Sequence, residues 1–319
     1  MSPGRRRGRQ ARQAAPPVAS AVRPGFEGGR YRPLTGTDEQ NIHKTILDVL
    51  EHIGMGDPIP IVKEHALARG CFMNKHDRLC FPRGLVEDVI ANTPKDIRFL
   101  GRDPKYDLEI GGKRVHTYGG GEAVNMLDPG ASKYRPSTLV DLYDAARLVD
   151  RMDNIHAFSR LVVPTEIADQ QACDISVAYT NVAGTAKHSA LTFNDASHVQ
   201  PTLEMLHMIA GGEKKWRERP FAHGGGCCVI SPLKFGCDNS DVCIESIKFG
   251  APVWVVRAPQ AGAPAPAALA GSVVQCVAEA LASLLMIDMV EPGFPVIVGA
   301  WPFVSDLRTG AFTGGSGEE

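Results

Sequence analysis

Five short apolar runs, each parted from the next by a stretch of helical length, fill the second half of the chain. The runs are residues 155–163, 186–193, 220–230, 252–259 and 294–303, and the helical stretches are 168–184, 198–212, 237–250 and 265–293. Strands that alternate with helices over short connections pair in parallel and keep the helices outside. Their apolar character on both faces fits a sheet covered on both sides. The fold class is therefore α/β, closed either as a doubly wound open sheet or as a (β/α)8 barrel. A dinucleotide-binding open sheet would carry G-x-G-x-x-G after a strand, and the nearest stretch, GGGEAV, has Val124 where the third glycine belongs. The barrel is the expectation.

The chain divides on the same pattern. Residues 1–33 read as a disordered arginine-rich tail, and 34–135 as an N-terminal α+β region of short pieces. Residues 136–319 read as a partial βα barrel of about five units. Helices are expected to begin at Thr37 or Asp38 and at Ser137 or Thr138, residue types that cap N-termini. The last apolar run leads into a glycine-rich loop rather than a helix. Five units cannot close eight strands, so the barrel is expected to be incomplete at the C-terminus and the chain to be a fragment.

Charge and cysteine content narrow the function classes. The net charge is -2, but residues 1–33 hold eight arginines against Glu27, leaving the remainder about -9. A body of that sign is a poor surface for nucleic acid. The head lacks an apolar core and is no secretory signal. The eight cysteines form no C-x-x-C pair, so reduced thiols and a cytoplasmic location are expected. Cys227, Cys228, Cys237 and Cys243 with His223 match no usual zinc spacing, and no metal is expected. Residues 265–290 are long and apolar, yet Gln275, Glu279 and Asp288 interrupt them, which favours a barrel helix over a membrane span.

In both closures ligands bind at the carboxyl ends of the strands. Candidate substrate-binding residues are Tyr118 before GGG, His188 and Phe193 of AKHSALTF, His223 of FAHGGGCC, Gln260 of RAPQAGAPAPAALAG, and Trp301 of AWPF. Side chains alternate along a strand, so one of Lys187 and His188 faces inward. HGGG also occurs in oxyanion holes, but the chain has no G-x-S-x-G to match it. The small residues of QAGAPAPA are expected to floor a ligand site. Tyr118, Phe193 and Trp301 could cage a methylated cation, which has no N–H and is held by aromatic faces. His188, His223 or Gln260 would hold a carboxylate or hydroxyl. No catalytic residue is assigned.

The stretches RRRGRQARQ, FEGGRYRPL, FLGRDPKYDLEIGGKRVH, RPSTLVDLYDAARLVDRMDNIH, GTAKH, PQAGAPAPAALAG and PFVSDLRTGAFTGGS together resemble the trimethylamine methyltransferase family, along the whole chain. That resemblance implies a (β/α)8 barrel. It also implies methyl transfer from a tertiary or quaternary methylamine, of trimethylamine or glycine betaine type, to the Co(I) of a corrinoid protein. The corrinoid (cobalamin) would be carried by the partner, with no cofactor held tightly by this chain. The family's trimethylamine enzymes carry a pyrrolysine beyond the reach of this sequence, and the arginine-rich head resembles the branch without it. The alternative is an inactive truncated barrel, or a scaffold that docks a corrinoid protein without chemistry. No nucleic-acid or membrane partner is expected, and self-association is left open.

Overall fold

In the computed structural model, residues 26–306 and 308–310 are described. The expectations for the arginine-rich head fall largely outside them. Four strands form the central sheet: β1 (Ser189–Ala190), β2 (Ala222–Gly226), β3 (Val253–Arg257) and β4 (Val296–Ala300). All pair in parallel and in chain order, with Ser189 opposite Ala222, Gly224 opposite Val253, and Val253 opposite Val296. Parallel bridges extend the sheet beyond β1, from Ser189 to Phe158 and from Ala157 to Tyr118. Six chain segments thus lie side by side without a reversal of order. A doubly wound sheet needs such a reversal. The alternation also starts one strand earlier than residue 136, at Tyr118. No further strand pairs with the outer edge of β4 among the described residues.

Each crossover carries a helix: α4 (Leu139–Asp150), α5 (Gln170–Gly184), α6 (Val199–Ala210), α8 (Cys237–Lys248) and α9 (Leu269–Val290). These touch in chain order, α4 on α5, α5 on α6, α6 on α8 and α8 on α9, as a single helical layer on one face requires. Thr138 caps α4 as expected, sharing a capping box with Asp141. The short helix α7 (Glu213–Glu218), which the sequence reading passed over, is anchored by buried Trp216 donating its indole N–H to Phe249 O at 3.0 Å.

The N-terminal region supplies α1 (Gly36–Asp48), α2 (Pro60–Ala68) and α3 (Arg83–Asn92), which pack on α9. Val62 of α2 and Val86 of α3, with Leu50 just after α1 and Phe81 just before α3, share one buried apolar cluster with Val253, Leu285 and Met286. The first helix is capped by Thr35, not Thr37 or Asp38. Its hydroxyl accepts from Asp38 N at 3.2 Å, and the Asp38 carboxylate returns the bond to Thr35 N at 2.9 Å. The residue three places before an acid is the one that can close this reciprocal pair. The helix α9 is apolar and long enough to span a membrane, yet it is mostly buried in this core. Its Glu279 is satisfied by Ser231 Oγ at 2.6 Å, Gln275 Nε2 at 2.9 Å and Leu233 N at 3.0 Å.

Candidate functional site

Register decides which strand residues face the helices. Along β3, Val253, Val255 and Arg257 are buried while Trp254 and Val256 are half-buried. The first set packs toward α9, where the guanidinium of Arg257 donates to Ser283 Oγ at 3.0 and 2.6 Å. Trp254 and Val256 face the other side of the sheet. The same alternation resolves the AKH triplet. Lys187 points outward, its ammonium donating to the carbonyls of Val149, Met152 and Ile155 at 2.6–2.7 Å, where a helix end leaves acceptors free. His188 points inward.

The amino end of that inner face is capped, with a smaller cavity of about 330 Å³ left beside the cap between Phe99, Leu108, Ile110, Tyr118, Ala157 and Ile297. The antiparallel pair Ile97–Phe99 and Leu108–Ile110 folds over it and stacks Phe99 on His188, with ring centroids 4.0 Å apart, and on His223 at 4.7 Å. Ala157 from the second segment and Ile297 from β4 both join the cluster around Phe99, so the sheet curls far enough for distant strands to touch one plug. His188 Nδ1 donates to Leu100 O at 2.9 Å, because a carbonyl can only accept. Its neutral Nε2 then accepts from His223 Nδ1 at 3.0 Å. Burial lowers the His188 pKa to about 4, and it holds that of His223 well below the usual histidine range, with His188 beside it adding to the effect. Both rings are neutral at pH 7.

Above this plug lies a cavity of about 640 Å³, lined by Tyr118, Gly120, Gly121, Glu122, Ser159, Arg160, Ala190, Thr192, Trp254, Val256 and Trp301. Trp254 stands edge-on to His223 at 6.1 Å and to Tyr118 at 6.5 Å. Room for its ring comes from Gly225 of β2, which has φ +144°. A Cβ there would lie 1.9 Å from Trp254 O and 2.4 Å from Trp254 Cδ1. The HGGG stretch thus serves packing. Arg160 donates Nη2 to Glu122 Oε2 at 2.6 Å. Glu122 has φ +49°, an uncommon conformation for a residue with a Cβ and one that clusters at functional sites. Burial raises the Tyr118 phenol pKa.

Of the six residues expected from sequence, Tyr118 and Trp301 share the cavity, and His188 and His223 lie beneath it, behind Trp254. Phe193 lies elsewhere, against the apolar cluster of Leu203, Leu206 and Trp216. Gln260 does not line the cavity either. It sits in a two-residue strand paired with Phe303–Val304. Its loop braces the cavity mouth instead of flooring it: Trp301 N donates to Arg257 O at 2.7 Å and Phe303 N to Pro259 O at 2.9 Å. The cysteines around β2 do not gather. Cys228 and Cys243 are buried 3.1 Å apart, while Cys227 and Cys237 are exposed. Among the described residues no cluster of His, Cys, Asp or Glu could hold a metal ion. Trp254, Arg160, Thr192 and Glu122 were missed. The readable signal for Trp254 was its place two residues before Val256 in a strand of alternating burial, which needs the sheet to interpret.

The sequence pattern of trimethylamine methyltransferases matches residues 2–319. The chain is 33% identical over 273 residues to the trimethylamine methyltransferase MttB of Desulfitobacterium hafniense (strain DSM 10664 / DCB-2), covering 84% of this chain and 54% of that protein. It is 30% identical to MttB1 of Methanosarcina mazei, covering 89% of this chain and 59% of the other. With a glycine betaine methyltransferase of D. hafniense (strain Y51) the identity is 25%, over 91% of this chain and 60% of the other. The chain thus spans little more than half the length of these relatives. Among solved structures, the hydroxylamine complex of MtmB superposes with a TM-score of 0.44 at 11% identity, over 84% of this chain and 58% of the other, a likeness too slight to build on.

Proposed function

This chain belongs to the trimethylamine methyltransferase family, and from that premise we propose that it transfers a methyl group from a tertiary or quaternary methylamine to the Co(I) of a corrinoid protein. The observation that carries the reading is the meeting of Tyr118, Trp254 and Trp301 around one cavity at the carboxyl ends of the parallel segments. Aromatic faces attract a methylated ammonium through their quadrupole, and more strongly once water is excluded. Trp301, 52% exposed, stands at the rim. His188 and His223 support the cage by being neutral, since a charged imidazolium behind Trp254 would repel a cation.

The reduced corrinoid, itself the methyl acceptor, would supply the nucleophile. The lining suits a group presented from outside, since His188 and His223 are buried and bonded to each other. The chain's own task is then positioning. It must hold one N–CH₃ bond toward the mouth and exclude water from it. When that bond breaks in a quaternary ammonium, or in a tertiary amine that carries its proton, the electron pair stays on nitrogen and a neutral amine leaves, so no further general acid is needed.

We further propose that the six parallel segments form part of a (β/α)8 barrel. The N-terminal helices would buttress its outer face, the protein would be cytoplasmic, and its partner would be a corrinoid protein. Incubating the complete chain with a Co(I) corrinoid protein and either trimethylamine or glycine betaine tests the function. The Co(I) absorbance should fall only when amine and chain are both present. Corrinoid-protein binding with no spectral change for any methylated amine would refute transfer and leave a docking scaffold.

A further inference from the structure

Cys228 and Cys243 are both fully buried, and their sulfur atoms stand 3.1 Å apart. Carbon atoms in ordinary packing meet at about 3.5–4.0 Å, and sulfur is the larger atom. The contact is therefore tighter than packing alone gives, and about 1 Å longer than a disulfide bond. Most buried cysteines are inert small apolar groups, so the closeness of this pair calls for a cause. The two thiols also differ. The hydrogen bond from Cys243 lowers the Cys228 pKa, with the Arg257 guanidinium adding to the effect, and the same bond together with burial raises that of Cys243. A thiol that ionises readily beside one that does not divides the pair into an attacking and a resolving sulfur.

The pair joins two elements that are already docked on each other. Cys228 lies two residues beyond β2, whose last residue, Gly226, pairs with Val255 of β3. Cys243 lies in the second turn of α8. The Cys228 carbonyl accepts from Gly236 N at 2.9 Å and from Ser240 Oγ at 3.2 Å, which seats the loop on that helix. Both backbones are thus held while the sulfurs meet, and a small side-chain shift closes the gap. Exposed Cys227 and Ile230 flank Cys228, so a local opening of this loop admits a molecule little larger than water.

We propose that Cys228 and Cys243 form a redox-active dithiol, which a peroxide closes to a disulfide and a small thiol reopens. The Cys228 sulfur attacks one oxygen of hydrogen peroxide, the O–O bond breaks and hydroxide leaves, giving a sulfenic acid on Cys228. The Cys243 sulfur then attacks the Cys228 sulfur, the S–S bond forms, and the sulfenic oxygen leaves as water. In sum the two thiols lose two protons and two electrons, and the peroxide becomes two waters. The bridge spans a separation of 15 residues and ties the end of β2 to α8. A cross-link of this kind stabilises by restricting the unfolded chain. The inference is independent of the methylamine reading above.

Treating the reduced complete chain with a mild excess of hydrogen peroxide, then denaturing, alkylating and weighing its peptides, tests it. Cys228 and Cys243 should escape alkylation and appear in one bridged pair of peptides, lighter by two hydrogens and separated again by dithiothreitol. The melting temperature of the oxidised chain should rise by about 5 °C and return on reduction. Cys227→Ser with Cys237→Ser removes the exposed thiols from the same peptides and should leave the bridge in place. Cys243→Ala should stop at the sulfenic acid on Cys228, trapped by dimedone. Alkylation of both Cys228 and Cys243 after peroxide overturns the inference. So does a bridge that runs through any other cysteine, or one that lowers the melting temperature. The measurement on the unaltered chain decides the matter even if Cys243→Ala does not fold.

Discussion

The two ends of the sheet's inner face use similar residues to opposite effect. At the amino end, Phe99, His188 and His223 stack, and the two imidazoles pass one line of hydrogen bonds to Leu100 O. At the carboxyl end, Tyr118, Trp254 and Trp301 stand apart around a cavity, and Arg160, Thr192 and Trp254 keep donors without acceptors. Trp254 belongs to both, with His223 at its edge on one side and the cavity on the other. A stacked, hydrogen-bonded layer backs a residue whose outer face is left open, and rigid backing of this kind lets a binding site hold its geometry.

The contrast can be broken in several ways. Gly225→Ala should have the largest effect. Its Cβ would fall on the Trp254 carbonyl between two paired strands, and a destabilisation of about 4 kcal/mol or more is expected. Loss of a cooperative melt by circular dichroism would register it. Phe99→Ala removes the plug from the capped end and should cost about 3–4 kcal/mol in urea denaturation. A loss below about 1 kcal/mol would mean that the amino end is not a packed layer at all.

Acid should act on the same end. Burial lowers the pKa of His188 from 6.5 to about 4 and lowers that of His223 well below 6.5. Below pH 6.5 the unfolded chain therefore takes up protons that the folded chain refuses. Stability from this pair is complete above pH 6.5 and drains away as pH falls toward 4. Melting temperatures at pH 8, 6 and 5 should decline in that order, and a flat profile would contradict buried neutral rings. The smallest structural effect is expected from Trp301→Ala at the open end. Its stability should stay within about 0.5 kcal/mol, while affinity for a quaternary ammonium drops by about 0.5–2 kcal/mol. If stability falls instead, Trp301 is a plug rather than a cage wall.

Much of the scaffold was legible because it depends on local rules. The βα rhythm, the Thr138 cap and the opposed directions of Lys187 and His188 follow from residue type and a two-residue period. The Thr35 cap was missed by two positions because the reciprocal bond with Asp38 outweighed the order in which capping residues occur. Val229–Ile230 was read within the strand-and-loop run 220–230, whereas it pairs antiparallel with Lys234–Phe235, the turn between them held by the buried Glu279 carboxylate on α9 that no local window contains. The candidate site was half legible. Tyr118 and Trp301 were found by their places at strand ends. Arg160 and Trp254 were hidden inside apolar runs that look buried on both faces. Phe193, equally well placed at a strand end, turned out to pack among helices.

What the amino-acid order settled by itself was the alternation of strands and helices, the Thr138 cap and the family, since each rests on neighbours within a few positions or on long shared motifs. The curvature that brings Tyr118, Arg160, Trp254 and Trp301 to one cavity was decided only by the folded chain. A strand residue faces the cavity or the helices according to the register of the strands beside it. That register is fixed by packing between segments far apart in sequence, as when Ala157 and Ile297 close on the same plug.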